Sequence, residues 1–278
     1  MTAHAWRSGF LRGGSVALLA GTVIVLSLVL IAFAAPLVAP YDPLAQDVER
    51  ALLPPTFTHP MGTDNFGRDV LSRVIWGARI NLAMGVIGVI APFFIGCALG
   101  LVAGYGGRVV DTVIMRILDV AIAFPFLVLV IAIVAVAGAG LASLFLALAL
   151  VGWVSYARII RKETLVLKHA DFVQAALGLG FRRTRILARH ILPNAIVPAL
   201  VFAMSDIVLI ILLGSSLSYL GLGIAPPTAE WGLMIAEGQN FIATAWWICL
   251  FPGLAIAFLA LGFMLLADGL AAHLGVKE

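Results

Sequence analysis

The amino-acid sequence predicts an all-α membrane protein with about six transmembrane helices and with both termini on the cytoplasmic side. Composition points there first: 63% of the 278 residues are hydrophobic and 11% are charged, under half the charged share of an ordinary soluble domain. A mean hydropathy of +1.12 leaves too little polar surface to cover a soluble globule. The apolar residues also come in long unbroken runs rather than in alternation. Such runs suit helices, whose backbone hydrogen bonds close within the segment, and not barrel strands. Finally, the cations are distributed unevenly. With the N-terminus inside, segments 1–15, 104–116, 155–192 and 268–278 hold every Lys and Arg except Arg50, Arg68, Arg73 and Arg79, a positive-inside bias.

In chain order, residues 1–15 form a cytoplasmic tail carrying Arg7 and Arg12. Residues 16–39 make the first transmembrane helix. The run from Val16 to Val38 can cross a hydrocarbon core of ~30 Å at about 1.5 Å per residue. It is too long for a signal-peptide core and has no obvious small-x-small cleavage site before polar sequence, Ala34-Ala35-Pro36 being a poor one, so it reads as a retained span. Residues 40–79 form an extracytoplasmic loop, where Pro40, Pro43, Pro54, Pro55 and Pro60 limit regular structure. Residues 80–270 are the core domain. It opens with a second span at Ile80–Ala103, followed by a hairpin of two spans within 117–154 that turns at Gly138-Ala139-Gly140. A cytoplasmic loop at 155–192 comes next. The fifth span covers 197–213 and the sixth 246–267, with Trp246 and Trp247 as interfacial anchors. Between them, the glycines and paired prolines of 214–245 predict a broken, partly re-entrant segment and then a short helix. Residues 271–278 are a C-terminal tail. Cys97 and Cys249 lie in apolar runs and read as packing residues.

The stretch from Ala170 to Pro198 interrupts the apolar second half. Val173, Ala176, Leu177 and Gly180 recur at helical spacing, which puts them on one face. Asp171 sits where an N-cap or first-turn acid belongs. Gly178 and Gly180 permit a sharp exit, a cationic run follows (Arg182, Arg183, Arg185, Arg189), and Pro193 opens the next apolar segment. A helix, a glycine, a basic run and then a membrane span make a docking element.

These residues also carry a resemblance. Gln174-Ala175-Ala176, then Gly180, then Leu192-Pro193 resemble the cytoplasmic loop of permease subunits of ATP-binding-cassette importers, with Gln174 where most members have Glu. The run Arg189-His190-Ile191-Leu192-Pro193-Asn194 is similar to the version found in the peptide and nickel branch. Two further stretches resemble the second permease subunit of that branch. One runs from His59-Pro60-Met61-Gly62-Thr63-Asp64 through Gly67-Arg68-Asp69 to Ser72-Arg73; the other joins Ser218-Tyr219-Leu220-Gly221-Leu222-Gly223 to Trp231-Gly232.

The resemblance implies a type I importer permease fold in a bacterial inner membrane, crossed several times. It assigns ATPase coupling to Asp171, Gln174, Ala175, Ala176, Leu177 and Gly180; the expected translocation path and gate are Ser216, Tyr219, Glu230 and Trp231, with Asp206 as a candidate from its place inside a span. The implied partners are a homologous permease subunit, two ATPase subunits, an extracytoplasmic substrate-binding protein and membrane lipid. ATP and magnesium would be held by the ATPases, with no cofactor on this chain. The implied cargo is a di- or oligopeptide, with nickel chelates or glutathione as alternatives.

Nothing in the sequence assembles an enzyme. It has no phosphate-binding loop ending in Lys-Ser or Lys-Thr, no paired zinc-ligand motif and no nucleophile elbow. The basic residues satisfy the positive-inside rule and do not imply nucleic acid. His59, Asp64 and Asp69 could be taken for metal ligands, but they read better as caps of turns and helices, with Arg68, Arg73 and Arg79 as ionic partners. Three acids fall in or near spans. Asp119 and Asp268 lie near cytoplasmic ends, where snorkelling suffices. Asp206 lies well inside the fifth span, where it either lines a watery path or pairs with another helix. A second function class, a carrier driven by an ion gradient, would use Asp206 as its coupling acid.

Overall fold

The computed structural model describes residues 3–275, with side chains from residue 15 onward. Arg7, Arg12 and Lys277, which contribute to the charge asymmetry, lie outside the described side chains. Apart from the loop at 39–69 and short turns, the described residues are helical: α1 (Ala3–Val38), α2 (Val70–Tyr105), α3 (Arg108–Ile122), α4 (Phe126–Ala137), α5 (Leu141–Val151), α6 (Trp153–Leu167), α7 (Asp171–Gly178), α8 (Arg183–Ile186), α9 (Leu192–Tyr219), α10 (Trp231–Gly238) and α11 (Trp247–Leu274). Among the described residues, five segments are long and apolar enough to cross a membrane: Ser15–Val38, Val70–Tyr105, Leu141–Leu167, Arg183–Tyr219 and Trp247–Leu274. The α3–α4 pair, bent by 81°, makes a sixth if it is counted as one span.

Several boundaries differ from the sequence expectation, each for a physical reason. The outer loop ends at Asp69 rather than at residue 79. Asp69 caps α2, its Oδ2 accepting from Ser72 N and Ser72 Oγ at 2.7 Å each, and the polar residues beyond it are neutralised inside the protein. The hairpin predicted within 117–154 does turn at Gly138–Gly140, but its arms are unequal. Pro125, which has no N–H to give, breaks the first arm into α3 and the short α4. The second arm runs past Val154 to Leu167, so the basic loop proper is only residues 168–191. Its charges are tolerated in a helix because Arg161 pairs with Asp111 of α3, Nη2 to Oδ2 at 2.6 Å. The segment from Gly214 to Tyr219 is not re-entrant. It continues α9, and the chain turns only at 220–230. The last helix reaches Leu274, past the predicted start of the tail, and ends at Gly275 in the left-handed region.

Two sets of contacts tie the loops into opposite faces of the bundle. On one face Lys168 Nζ donates to Gly104 O at 3.2 Å, beside the Arg161–Asp111 pair. On the other, Gly140 N donates to Leu222 O at 3.3 Å, and Trp247 Nε1 donates to Thr63 O at 3.0 Å. Helix α2 is the central post. A Cβ added at Gly96, Gly100 or Gly104 would strike α6, and one at Gly85 or Gly88 would strike Ile211 or Ile210 of α9. These glycines let backbones approach where no hydrophobic force separates helix from lipid.

At about 1.5 Å per residue the 36 residues of α2 span about 54 Å, so its first turns stand clear of the hydrocarbon. Their polar residues are buried in protein instead. Arg68 Nε binds Asp64 Oδ2 at 2.5 Å, while Arg68 Nη2 and Arg73 Nη2 both donate to Glu237 Oε2 of α10, at 2.7 and 3.0 Å. Asp64 also caps its own turn through Phe66 N and Arg68 N, and His59 Nδ1 meets Asp69 Oδ1 at 2.9 Å. Asp64, Asp69, Arg68 and Arg73 are therefore the structural partners the sequence predicts. Arg79 is not among them: it is exposed and lies over the Trp76 ring. Breaking a buried charge pair by removing one side costs about 3 kcal/mol or more. Glu237→Ala leaves two buried guanidinium groups short of an acceptor, so a lower melting temperature in detergent and a lower membrane level are expected. Wild-type stability in that variant would refute the role of Glu237.

Candidate functional site

The loop between α6 and α9 carries α7, an eight-residue helix that lies on the bundle by one face only. Val173 and Ala176 are buried, whereas Phe172, Gln174, Ala175, Leu177 and Leu179 are exposed. Leu177, grouped by spacing with the buried pair, is 40% exposed. Ala170 occupies the N-cap position and Asp171 the first turn, where its charge complements the helix dipole. Gln174 Nε2 donates to Lys168 O at 2.7 Å, which satisfies a carbonyl at the C-terminal end of α6. A carboxylate could not donate this bond, so the amide at position 174 locks α7 to the helix before it.

Two crossed hydrogen bonds close α7, Phe181 N to Ala176 O at 3.2 Å and Gly180 N to Leu177 O at 2.9 Å. This is a Schellman ending, which requires a left-handed residue; Gly180 supplies it with φ +77°. No other group lies within 4 Å of a Cβ built there, so the space beside Gly180 is open. The chain then passes through α8 and a π-helical turn at Leu187–Ile191 into α9. Arg185 packs its guanidinium 4.6 Å from the Phe181 ring centroid.

The second group of candidates lies along α9 and α10. Leu209, Leu212, Ser216 and Tyr219 are exposed at helical spacing and form an open stripe on α9. Tyr219 Oη donates to Gln239 Oε1 at 2.5 Å, and Ser216 Oγ back-bonds to Leu212 O at 2.6 Å. Asp206 is half-buried at the edge of this stripe and accepts from Tyr156 Oη of α6 at 2.7 Å. The Tyr156 ring packs edge-on against Phe93 and Phe202. Asp206 does therefore pair with another helix.

Glu230 and Trp231 are interior residues, 0% and 1% exposed. Glu230 caps α10 through Gly232 N and Leu233 N, both at 2.8 Å, and accepts from Ser215 Oγ of α9 at 3.0 Å. Trp231 Nε1 donates to Val74 O of α2 at 3.0 Å. Together they pin α10 between α9 and α2 beneath the open stripe. Spacing alone does not reveal Glu237 or Tyr156, because their partners lie far away in sequence. The one available signal was an acid inside an apolar helix. Among the described residues, no cluster of three or more His, Cys, Asp or Glu could hold a metal.

A multi-span helical bundle, with a half-exposed helix on its basic face and an open helix stripe through its middle, is a membrane subunit built to meet other chains. The comparisons define which. The family model for "Binding-protein-dependent transport system inner membrane component" matches residues 96–277, and that for "N-terminal TM domain of oligopeptide transport permease C" matches residues 16–55. The chain belongs to this family of importer permeases, which are multi-pass inner-membrane transport subunits and not enzymes. It is 38% identical over 274 residues to a dipeptide transport system permease protein, DppC, of Alkalihalophilus pseudofirmus, covering 98% of this chain and 90% of that one. It is 40% identical over 260 residues to the probable D,D-dipeptide permease DdpC of Escherichia coli, covering 94% and 87%. It is 42% identical over 273 residues to the glutathione permease GsiD of Pectobacterium atrosepticum, covering 98% and 90%. An inward-facing structure of the MetNI methionine ABC transporter shares the fold, with TM-score 0.53 and 18% identity over 69% of this chain and 91% of that chain.

The Tyr156–Asp206 bond can be tested within the chain itself. Tyr156→Phe removes the donor and should lower stability by about 1 kcal/mol, whereas Asp206→Asn keeps an acceptor and should cost less. Equal melting temperatures for Tyr156→Phe and wild type would count against the bond.

Proposed function

We propose that this chain is the second of two permease subunits of an ATP-driven importer for di- or oligopeptides. In this reading it pairs with a homologous permease, two ATPase subunits that hold ATP and magnesium, and an extracytoplasmic binding protein that delivers the cargo. The peptide cargo is supported by the names of relatives such as DppC and DdpC, to which the chain is 38% and 40% identical. The 42% identity to a glutathione permease keeps glutathione, itself a small peptide, as the second reading.

The observation that carries the reading is α7. It is fixed to the bundle through Val173, Ala176 and the Gln174 amide, yet its other side, with Phe172, Leu177 and Leu179, is bare on the face richest in cations. On the positive-inside rule that face is cytoplasmic, where an ATPase can reach it. Asp171, Gln174, Ala175, Ala176, Leu177 and Gly180 are then the coupling residues. Their motion passes through the π-helical turn at 187–191 into α9. Asp206, Ser216 and Tyr219 on α9 border the cargo path, and Glu230 and Trp231 hold α10 against that helix, so the gate moves as a unit.

The test uses Gly180, where the ending of α7 leaves open space beside the backbone. Gly180→Asn accepts a left-handed backbone and should insert normally and retain most uptake. Gly180→Trp projects bulk into the open space at the cost of a strained left-handed turn; it should still insert, but abolish peptide uptake and stop cargo from stimulating ATP hydrolysis. Undiminished uptake by well-inserted Gly180→Trp would refute the assignment of α7.

A further inference from the structure

A groove of about 800 Å³ opens on the face opposite α7 and is lined by Pro36, Ala39, Tyr41, Trp76, Ile80 and Thr228, with Asp42 on its wall. It lies where the first membrane helix ends, against the early turns of α2. Below it the first helix continues with Phe33 and Leu37, 81% and 90% exposed, surfaces that only lipid tails or another apolar chain can cover. The wall is held by Tyr41, whose N donates to Ser72 Oγ at 3.1 Å and whose Oη donates to Thr58 O at 3.1 Å.

One charge, Asp42, lines this groove, and an opposite one, Arg79, lies over the ring of Trp76, which lines it too. Arg79, one residue before Ile80, holds its guanidinium carbon 5.0 Å from the centroid of the Trp76 ring. It makes no hydrogen bond or ion pair among the described residues, so its donors remain available. Asp42 uses Oδ1 to accept from Leu44 N at 2.8 Å, and among the described residues no donor occupies its Oδ2. A guanidinium stacked on an aromatic ring with its donors free can take a phosphate through paired hydrogen bonds. The carboxylate on the same groove disfavours a purely anionic headgroup and favours one that also carries an ammonium.

We propose that this groove binds a zwitterionic aminophospholipid, with the phosphate on Arg79, the ammonium on Asp42 and an acyl chain along Pro36, Ala39 and Ile80. The site is distinct from α7 and from the α9 stripe. Because lipid is read directly, its test stands or falls independently of cargo uptake.

The protein is purified in mild detergent in the assembly it holds in the membrane and exchanged into nanodiscs of equal phosphatidylethanolamine and phosphatidylglycerol. Native mass spectrometry then measures the lipid it retains. Wild type should retain phosphatidylethanolamine in preference. Arg79→Gln should reduce that retention roughly fivefold, the order expected for one partly exposed charge-assisted contact. Asp42→Asn should shift the preference toward phosphatidylglycerol. Ala39→Trp, which fills the groove from its rim, should displace lipid with both charges intact. Equal retention of the two lipids, or phosphatidylethanolamine retention unchanged in both charge variants, overturns the proposal. So does a density map of the assembly in which a helix of another subunit fills the groove.

Discussion

The structure depends on how closely α2 can approach its neighbours. In a bilayer, lipid tails are as apolar as leucine, so helices associate through close packing and polar contacts rather than by escaping water. The glycines of α2 face α6 at Gly96, Gly100 and Gly104 and face α9 at Gly85 and Gly88. With the backbones this close, Tyr156 on α6 can reach Asp206 on α9, and Trp231 on α10 can reach the carbonyl of Val74. Gly77 completes the seam, since a Cβ there would meet the Trp231 indole.

The two ends of the bundle are held in different ways. At the end bearing residues 40–69, buried charges and caps fix the arrangement: Arg68 and Arg73 share Glu237, and Asp69 and Glu230 cap α2 and α10. Such networks are costly to break and therefore rigid. At the other end, α7 is secured by two small buried side chains, one amide and a glycine ending. That contrast suits a transport subunit, which needs a firm frame at one face and an element at the other that can be moved by what binds it.

Much of this was legible in the sequence, and the failures share a cause. The class, the existence of the long spans and a short helix within 170–180 follow from long apolar runs, the cation bias and helical spacing, all of them local signals. The span limits do not. Arg73 and Arg161 read as loop residues because their acids, Glu237 and Asp111, are brought to them only by the fold. Pro125 could be seen in the sequence, but the 81° bend it permits depends on what packs around it. Glu230 and Trp231 sit in a stretch that reads as an exposed gate, and they are interior because Ser215, Gly232 and Val74 receive them. Gln174 is the opposite case. Its departure from the family pattern was plain in the sequence, and only the structure gives the reason, a donor for the Lys168 carbonyl.

The most direct measurement of the central claim, that the bare side of α7 is where an ATPase drives this subunit, is photo-crosslinking from position 177 in the assembled complex. Leu177 is replaced by benzoyl-phenylalanine, and capture is compared without nucleotide and with ATP trapped by vanadate. The account predicts covalent capture of an ATPase subunit in both states, with a yield that changes between them. Capture of lipid alone, while the ATPase still copurifies, would contradict it.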